Sequence, residues 1–460
     1  MKFFKATLLA LLAAGTALAA PATEEVERVS YDGFKVYRIW THGRPADVRS
    51  KLDAGLASYE RWNDDGLYHI DILVSPSEVS AFEALHLEHK ILHEDLGASV
   101  QSESAGLSKR LNVRDDEDWF ASYHNYTDHI AYFDELQKRF PGNSEIVSSG
   151  ESYEGRDIFG IHLYGNAGPG KPAVLYHGTV HAREWIAAPV VEYITLQLIN
   201  GYTKNDTIVT SALDKYDFWI FPFVNPDGEP PPSPSYKMNS TNITPGFVYS
   251  QTSDRLWRKN RQPAPPNATN PSCYGRDINR NWEFGWDTNP RGASTNPCAQ
   301  TYRGEAPSDT PENKGLDRLV RRLRDTSKIK LFIDWHSYGQ YILSPFGNKE
   351  TLYAPELGKW TKAASVVSEA IRDSSPNRTT YTFGPSGAVL YATTGAAPDH
   401  VYSIGGAEFS YTVELRDLGD YGFVLPPELI LPTAKEQWAG QRELLPILDE
   451  EFFDGDGSVY

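Results

Sequence analysis

Two short apolar segments constrain the fold of this chain most strongly, because side chains that can bind a metal ion follow each of them. Residues 173–176 (Ala-Val-Leu-Tyr) precede His181 and Glu184, and residues 331–335 (Leu-Phe-Ile-Asp-Trp) end directly before His336. Short apolar runs of this kind predict buried strands. Open α/β sheets place their functional sites at the carboxyl ends of such strands. We therefore expect an α/β fold in which the two segments bring these side chains together.

His181, Glu184 and His336 form a possible metal-ligand set. Two imidazoles and one carboxylate are a ligand set of catalytic zinc, which keeps a fourth position open. A histidine three residues before a glutamate also occurs by chance, so this pair alone is weak evidence. The surrounding sequence adds to it six motifs in the following order: His-Ala-Arg-Glu-Trp (181–185), Asn-Pro-Asp-Gly (225–228), Arg-Leu-Trp-Arg-Lys-Asn-Arg (255–261), Asp-Ile-Asn-Arg-Asn-Trp (277–282), His-Ser-Tyr (336–338) and Glu-Leu-Arg-Asp (414–417).

With these motifs the chain resembles the zinc metallocarboxypeptidases of the carboxypeptidase A/B type, in a fungal-like form. The resemblance runs from about residue 123 to about residue 451 and extends into the N-terminal region. It implies a mixed, mostly parallel eight-stranded sheet flanked by helices, preceded by a small α+β ferredoxin-like propeptide domain. It also implies one zinc ion per chain and a monomeric zymogen that an activating protease cuts. The expected activity is hydrolysis of the C-terminal bond of peptides and proteins.

The resemblance assigns catalytic roles to two further residues and a positioning role to a third. Peptide hydrolysis needs a proton carried from water to the leaving nitrogen, and a carboxylate beside the metal can carry it. Glu414 matches the family's general base, which some fungal-type relatives lack. Arg258 matches the arginine that polarises the scissile carbonyl and stabilises the oxyanion. Asp277 matches the aspartate that hydrogen-bonds the first zinc histidine and so fixes its tautomer.

Four residues match the family's substrate-binding positions. Asn279 and Arg280 match the pair that binds the terminal carboxylate of the substrate, and arginine suits this task because its planar guanidinium binds a carboxylate with two hydrogen bonds. Tyr391 matches the mobile tyrosine that covers the site. Arg183 resembles an accessory substrate-binding arginine. Together these matches predict an exopeptidase.

The specificity pocket is predicted by counting along the chain. The spacing from Tyr391 places Pro398 at the floor, where basic-specific relatives carry an aspartate and apolar-specific relatives an aliphatic residue. An uncharged floor favours hydrophobic or aromatic side chains. The spacing from Tyr391 to Glu414 is one residue longer than expected, however, and a shift of one residue would put Asp399 at the floor. The predicted walls are Ser386, Leu390, Thr393, Ala396 and Ala397.

The chain divides into five predicted regions. Residues 1–19 have the basic start, apolar centre and small-residue end of a secretory signal, and we expect a secreted, extracellular protein. Residues 20–110 form the propeptide domain and residues 111–118 a linker, with Lys109-Arg110 as a plausible processing site. Residues 119–452 form the catalytic domain, and residues 453–460 form a C-terminal tail.

Apolar periodicity predicts alternating strands and helices in both domains. In the first domain we expect strands at 34–40 and 67–75 and helices at 46–59 and 77–89. In the second domain the predicted strands are 157–164, 173–176, 218–224, 330–335 and 409–415, and the predicted helices are 128–139, 185–200, 310–326 and 355–374. The segments around 229–252 and 263–271 are rich in Pro, Ser and Asn and predict surface loops.

Composition narrows the partners. The formal net charge of −17 argues against nucleic acid or an anionic membrane surface. The two cysteines, Cys273 and Cys298, predict a disulfide in an oxidising compartment, and the family has a disulfide in the matching surface loop. Six Asn-X-Ser/Thr sites are candidate glycosylation sites: Asn125, Asn205, Asn239, Asn242, Asn267 and Asn377.

Three alternatives remain at this point. The first is the same enzyme with basic specificity. The second is a catalytically silent, secreted binding protein on the same scaffold. Six residues argue jointly against it: His181, Glu184, His336, Arg258, Arg280 and Glu414. The third is a zinc carboxyesterase or endopeptidase. The resemblance also implies three non-proline cis peptide bonds, at Ser337–Tyr338, Pro345–Phe346 and Arg416–Asp417.

Overall fold

The computed structural model describes residues 28–63, 68–107, 116–227 and 246–450. Several predictions fall outside these ranges. They are the signal peptide at 1–19, the processing site at Lys109-Arg110, residues 111–115 of the linker, residues 229–245 of the loop around 229–252, the C-terminal tail at 453–460 and the sequons at Asn239 and Asn242.

The first domain is a four-stranded antiparallel sheet covered by helices. Its strands are β1 (Lys35–Trp40), β2 (Glu60–Arg61), β3 (His69–Val74) and β4 (His89–His93), in the spatial order β2-β3-β1-β4. Its helices are α1 (Pro45–Gly55), α2 (Val79–Ala84) and α3 (Leu96–Ser104). Side chains of β1 and β3 pack on those of α1 and α2, because alternate strand residues face the same side of a sheet.

The predicted second helix, at 77–89, is too long. The structure ends it at Ala84, and His86 then adopts a positive φ of 49°, which a continuing helix does not allow. The chain after this turn pairs with β1 as the strand β4, which the sequence did not predict. The predicted first helix is likewise shortened at its carboxyl end, to Gly55.

The second domain contains an eight-stranded mixed sheet, which confirms the predicted fold class. Four of its seven neighbouring strand pairs are parallel, and the spatial order is β11-β10-β12-β9-β7-β8-β6-β5. The strands are β5 (Ser144–Glu151), β6 (Asp157–Leu163), β7 (Ala173–Gly178), β8 (Asp217–Phe221), β9 (Ile329–Ser337), β10 (Tyr341–Ser344), β11 (Thr382–Pro385) and β12 (Phe409–Leu415).

Helices cover both faces of this sheet. Val174 and Tyr176 of β7 belong to one apolar core and Ala173 and Leu175 to another, so the period of two along a strand builds two cores. The helices are α4 (Asp116–Trp119), α5 (Tyr126–Arg139), α6 (Ala187–Thr203), α7 (Thr207–Lys215), α8 (Gly246–Thr252), α9 (Pro311–Thr326), α10 (Leu357–Ser374), α11 (Ser386–Val389), α12 (Ala397–Ser403) and α13 (Ile430–Ile447).

Each predicted strand and helix of the second domain is present, with ends that differ by a few residues. The sequence did not predict the edge strands β5 and β11, the short strand β10 beside β11, or the helices α7 and α13. Strands β10 and β11 have four residues each, too few to show a period of two. Helix α13 carries Pro432, Gly440 and Pro446, which interrupt the pattern that identifies a helix.

Other predicted features are also present. Cys273 and Cys298 form a disulfide. The peptide bonds Ser337–Tyr338, Pro345–Phe346 and Arg416–Asp417 are cis. No helix among the described residues is long and apolar enough to cross a lipid bilayer.

The four sequons within the described ranges differ in exposure. Asn205, Asn267 and Asn377 are exposed. Asn125 is half-buried: its side chain caps α5 by accepting the backbone N–H of Asp128, and its amide donates to the Asp128 carboxylate. A glycan would attach at that amide nitrogen and would replace one of its two hydrogens.

Candidate active site

The candidate site lies where three adjacent strands end. Strand β9 pairs in parallel with β7 on one side and with β12 on the other. His181 and Glu184 follow the end of β7, and His336 is the penultimate residue of β9. Glu414 on β12 stands directly opposite His336 in the strand register. Parallel pairing therefore brings residues that are more than 200 positions apart to the carboxyl ends of the same three strands.

The three predicted metal ligands form one buried cluster. The His181 Nδ1 atom lies 2.7 Å from Glu184 Oε1, and the His336 Nδ1 atom lies 3.1 Å from His181 Nδ1 and 2.9 Å from Glu184 Oε2. These side chains are the only group of three or more His, Cys, Asp or Glu residues, among those that the structure describes, that could hold a metal ion. Ligand atoms of a tetrahedral zinc lie roughly 3.3 Å apart, so the cluster fits zinc in donor type and spacing.

The pKa values of Glu184 and His336 are strongly shifted inside the cluster. Burial opposes ionisation of Glu184, but the positive charge of His181 and His336 outweighs it and lowers the pKa of the carboxyl. Burial lowers the pKa of His336, whereas the carboxylates of Asp334 and Glu184 raise it and prevail, so its pKa lies well above the usual value.

Asp277 joins the ligand cluster to the predicted oxyanion-stabilising arginine. Its Oδ1 lies 3.2 Å from His181 Nε2, as the resemblance implied, and accepts the backbone N–H of Asn279. Its Oδ2 accepts two hydrogen bonds from Arg258, from Nε at 3.0 Å and from Nη2 at 2.7 Å. Burial raises the pKa of Asp277, but Arg258 and His181 outweigh it and hold the pKa well below its usual range. One carboxylate thus orients both a metal ligand and a cation.

Asn279 and Arg280 lie on a short 3-10 turn, Ile278–Arg280, and line the cleft beside the ligand cluster. The Oδ1 atom of Asn279 accepts the backbone N–H of Ala397 at 2.8 Å, which turns its amide nitrogen toward His336 Nε2 at 3.3 Å. Arg280 donates from Nη1 to the carbonyl of Asn279, and its Nε has no hydrogen-bond partner among the described residues. The guanidinium therefore retains donor capacity for an incoming carboxylate.

Glu414 combines burial with a mixed electrostatic environment. Burial is the largest cause that raises its pKa, to about 8, and the nearby Glu184 carboxylate also raises it. His336 and Arg258 act in the opposite direction. A divalent cation at the ligand cluster would lower this pKa further, because positive charge favours the carboxylate. A carboxyl whose pKa lies above the ordinary range suits proton transfer near neutral pH.

The predicted specificity pocket opens from the same cleft. Pro398 and Asp399 both line it, so the structure brings both candidate floor residues to the pocket. The Asp399 carboxylate accepts backbone N–H groups from Gly347 and Asn348 at 2.9 to 3.3 Å. Burial raises its pKa to about 7, against these hydrogen bonds. The other residues that line this part of the cleft are Leu343, Ser344, Ser386, Leu390, Tyr391, Thr393, Ala396 and Thr412.

Two predicted positions have different surroundings from those expected. Ala397 is not a pocket wall; it packs in an apolar core and contributes only its backbone N–H, to Asn279. Arg183 donates to Glu60 of the first domain at 3.1 Å and lies over the ring of Phe423 at 3.9 Å. The sequence carried no signal for the contact with Glu60, because that contact depends on how the two domains pack.

Residues of the first domain line the cleft as well. Trp62 and Asn63 stand among the residues around the ligand cluster. The Trp62 ring packs against Phe423 and Tyr338, with ring centroids 5.3 and 6.4 Å apart. The sequence also missed Asp334, a buried carboxylate whose Oδ2 lies 2.9 Å from His336 Nε2. An aspartate two residues before a predicted ligand was the available signal, because both side chains face the same side of β9.

Comparison with known proteins identifies the family. The family model described as zinc carboxypeptidase, Peptidase_M14, matches residues 129–440, which is more than half of the chain. The chain belongs to the zinc carboxypeptidase family. Metallocarboxypeptidase A from Trichophyton equinum is 38% identical over 442 residues, covering 95% of this chain and 97% of the relative. Zinc carboxypeptidase A 1 from Anopheles gambiae is 31% identical over 434 residues, covering 91% and 90%.

Solved zinc carboxypeptidases have the same fold. The carboxypeptidase A from Helicoverpa armigera superposes with a TM-score of 0.73 at 26% identity, covering 91% of this chain and 98% of that chain. Thrombin activatable fibrinolysis inhibitor superposes with a TM-score of 0.77 at 24% identity, covering 90% and 98%, and this likeness shows the fold alone. The predicted fold class and family are thus confirmed. The protein is a zinc-dependent carboxypeptidase, a hydrolase that acts on peptide C-termini.

Proposed function

We propose that this zinc carboxypeptidase is a secreted zymogen that removes single, preferably hydrophobic or aromatic, residues from peptide C-termini. One observation carries the proposal: the His181–Glu184–His336 cluster shares one cleft with a carboxylate, Glu414, and with Arg280, which retains donor capacity. An inactive binding protein on this scaffold would not need that combination. We further propose one zinc ion per chain and a monomer.

His181, Glu184 and His336 would hold the zinc ion. Bound there, it would supply Lewis-acid chemistry and activate a water molecule. Glu414 accepts the proton of the attacking water and returns it to the leaving nitrogen. Arg258, held by Asp277, faces the cleft and stabilises the negative charge that develops on the scissile carbonyl oxygen. A donor fixed beforehand by another carboxylate needs no reorganisation when that charge appears.

Exopeptidase action follows from the carboxylate-binding pair. Arg280 and the amide of Asn279 offer N–H donors at one end of the cleft, and a guanidinium binds a carboxylate with two hydrogen bonds. The Ala397 N–H occupies the Asn279 Oδ1 atom, so the amide nitrogen of Asn279 is the end that lies toward His336. A terminal carboxylate meets two donors there, whereas an internal or esterified carbonyl offers no matching charge. The same reasoning disfavours an endopeptidase and a general carboxyesterase.

The surroundings of Asp399 support a preference for apolar residues. Both Asp399 oxygens accept backbone N–H groups, so the carboxylate has less acceptor capacity left for a basic side chain. The raised pKa of Asp399 also weakens its negative charge near neutral pH. Pro398, Leu343 and Ala396 contribute apolar surface. A hydrophobic side chain therefore loses less on entering this pocket than Lys or Arg would.

Contacts between the domains support the zymogen proposal. Glu103 on α3 forms two hydrogen bonds with Arg255, at 2.6 and 2.8 Å, and both side chains are about 1% exposed. Glu60 pairs with Arg183, and Asp71 accepts the hydroxyl of Tyr338 at 2.7 Å. These contacts hold Trp62 and Asn63 over the cleft. An activating protease that cuts near Lys109-Arg110 would allow the first domain to leave.

One assay tests this function. We expect the full-length protein, cut by a protease that cleaves after basic residues, to release Phe and Leu from blocked dipeptides faster than Lys or Arg. A chelator should abolish the activity, and the uncut precursor should have little. Faster release of Lys or Arg would establish the basic alternative. Undiminished activity in the uncut precursor would refute the zymogen proposal, and no release at all from the cut enzyme would favour a silent binding protein.

A further inference from the structure

Asp334 is a buried carboxylate with an unusual environment. It lies on β9, its side chain is fully buried, and its Oδ2 atom is 2.9 Å from His336 Nε2. The ring N–H does not point directly at this oxygen, and neither Asp334 oxygen has an aligned hydrogen-bond partner among the described residues. Burying a carboxylate without aligned partners is costly, and His336 lies close enough to compensate for that cost.

The two ring nitrogens of His336 face different groups. Nδ1 faces His181 and Glu184, the other members of the ligand cluster. Nε2 faces Asp334 and, at 3.3 Å, the amide nitrogen of Asn279. A histidine that binds a metal through Nδ1 carries its proton on Nε2 and must donate that proton to an acceptor.

Asn279 cannot be the acceptor. Its Oδ1 atom already accepts the backbone N–H of Ala397, so the atom that faces His336 is the amide nitrogen, which is a donor. Amide orientation is usually ambiguous, but a backbone N–H can only donate, and this contact therefore fixes it. Of the two groups beside Nε2, only Asp334 can accept the proton.

The neighbouring strand β7 does not supply a hydrogen-bond partner for the Asp334 carboxylate either. Its register partner on β7 is His177, which is also buried and whose Nε2 has no hydrogen-bond partner among the described residues. The close polar contact of the Asp334 carboxylate is therefore the one with His336 Nε2. The alternation of β9 explains the geometry, since residues two apart project from the same face of a strand.

We propose that Asp334 is a positioning residue of the metal centre, which holds His336 in the tautomer that binds zinc through Nδ1 and increases its strength as a ligand. It would do for His336 what Asp277 does for His181, so that each imidazole of the cluster has its own buried carboxylate. This inference rests on the proposed role of His181, Glu184 and His336 as zinc ligands.

Asp334→Asn tests it, because asparagine preserves volume and an acceptor oxygen but removes the charge. Asp334→Leu removes both. Asp217→Asn is the matched control: Asp217 is also a buried aspartate beside a histidine, with Oδ2 3.3 Å from His162 Nε2, but it lies at the start of β8, at the opposite end of the sheet. Zinc affinity is measured on the full-length protein by competition with a chelator, together with the visible spectrum of the cobalt(II)-substituted protein and the unfolding temperature of the metal-free protein.

We expect Asp334→Asn to weaken zinc affinity about ten- to hundredfold, as loss of such a carboxylate typically does, and to shift the cobalt spectrum. Asp334→Leu should weaken it more, and Asp217→Asn should lower the unfolding temperature without either effect. Unchanged zinc affinity and spectrum in Asp334→Asn would overturn the proposal, whatever its unfolding temperature, and this variant decides if Asp334→Leu does not fold. Failure of the wild-type protein to bind zinc would instead refute the proposed metal centre.

Discussion

Glu414 and His336 illustrate how one strand pair sets the chemistry of single residues. They are register partners on β12 and β9, so their backbone positions are fixed by the sheet rather than by a loop. Burial then raises the pKa of Glu414 to about 8. A carboxylate at this position can take a proton from water beside the ligand cluster, which is the role that we propose.

Glu414→Gln separates metal binding from proton transfer. The amide has nearly the same shape but cannot accept and return a proton, so we expect zinc to be retained and kcat to fall roughly 100- to 10,000-fold. Zinc content and steady-state rates on a blocked dipeptide measure the two effects. Glu369→Gln, on the exposed side of α10, is the control and should behave as the wild type. Near-normal turnover of Glu414→Gln would move the general-base role to another group.

In our proposal, Arg280 binds the terminal carboxylate of the substrate and so restricts cleavage to the last peptide bond. Replacing it with alanine removes a charge-assisted, two-point contact, for which a loss of about 1.5–3 kcal/mol is typical. Arg280→Ala should therefore raise KM roughly ten- to hundredfold for substrates with a free terminal carboxylate, in assays that compare free and C-terminally amidated peptides. Arg372→Ala, which removes a partly exposed arginine of α10, should leave KM unchanged. Equal cleavage of free and amidated peptides by the wild type would contradict the exopeptidase assignment.

At the scale of elements, α3 couples the two domains. Its Glu103 forms the buried ion pair with Arg255, which also donates to the carbonyls of Arg183 and Phe423 and lies over the Trp185 ring at 3.9 Å. Removing one partner of a buried pair is far more costly than never having the pair, because an uncompensated charge remains. We therefore expect this helix to contribute to the docking of the first domain, together with the contacts of Glu60 and Asp71.

Glu103→Gln should weaken that docking. We expect the uncut precursor of this variant to hydrolyse blocked dipeptides at least ten times faster than the uncut wild type, since breaking such a pair costs about 3–5 kcal/mol. Glu94→Gln is the control, because Glu94 pairs with Lys35 at an exposed site of the same domain. After cleavage and removal of the first domain, all three proteins should have equal activity. A Glu103→Gln precursor as inactive as the wild type would show that this pair does not maintain latency.

The elements that the sequence predicted correctly are those with a long, regular pattern. Helix α9 has Leu316, Leu319, Val320 and Leu323 on its buried face, and Thr310 caps its first turn. Strand β12 was predicted with its ends as observed. Strands β4 and β11 escaped detection because their residues are only partly buried and lie at sheet edges. Whether a short segment becomes an edge strand depends on the strand to which it hydrogen-bonds, and the sequence of the segment itself does not indicate that neighbour.

At the scale of the whole molecule, buried and neutral histidines make the free energy of unfolding depend on pH. Burial lowers the pKa of His124 to about 3, with a further contribution from His129, and lowers that of His177 to about 4. Both values lie below about 6.5, the usual value in an unfolded chain. The unfolded state therefore binds more protons between pH 6.5 and 4, and stability present above pH 6.5 is lost as the pH falls through this range.

His124→Gln should flatten this dependence. Each histidine contributes up to about 1.4 kcal/mol per pH unit to the loss of unfolding free energy, so the variant should lose less stability than the wild type between pH 6.5 and 4. Thermal or denaturant unfolding of the zinc-loaded protein at several pH values measures the slope. His42→Gln, at an exposed site in the first domain, should keep the wild-type slope. Identical slopes for wild type and His124→Gln would refute the explanation.

The sequence by itself determined the family, the α/β class and the paired cysteines, and it predicted the ligand set. Each of these is recorded locally: in ordered motifs, in apolar periods, or in residue types whose chemistry is specific. His181 and Glu184 are three positions apart, and their strand is marked by four apolar residues. Features of this kind can be recognised from the sequence because residues close together in the chain define them.

Only the tertiary structure decided which groups surround these residues. Glu103 and Arg255 are 152 positions apart, and Glu60 and Arg183 are 123 apart. The backbone N–H groups that occupy Asp399, and the orientation of Asn279 that leaves Asp334 as the acceptor beside His336, depend equally on distant segments. Contacts of this kind arise from sheet order, strand register and domain packing, which place far-separated positions within hydrogen-bond distance without any local pattern that records it.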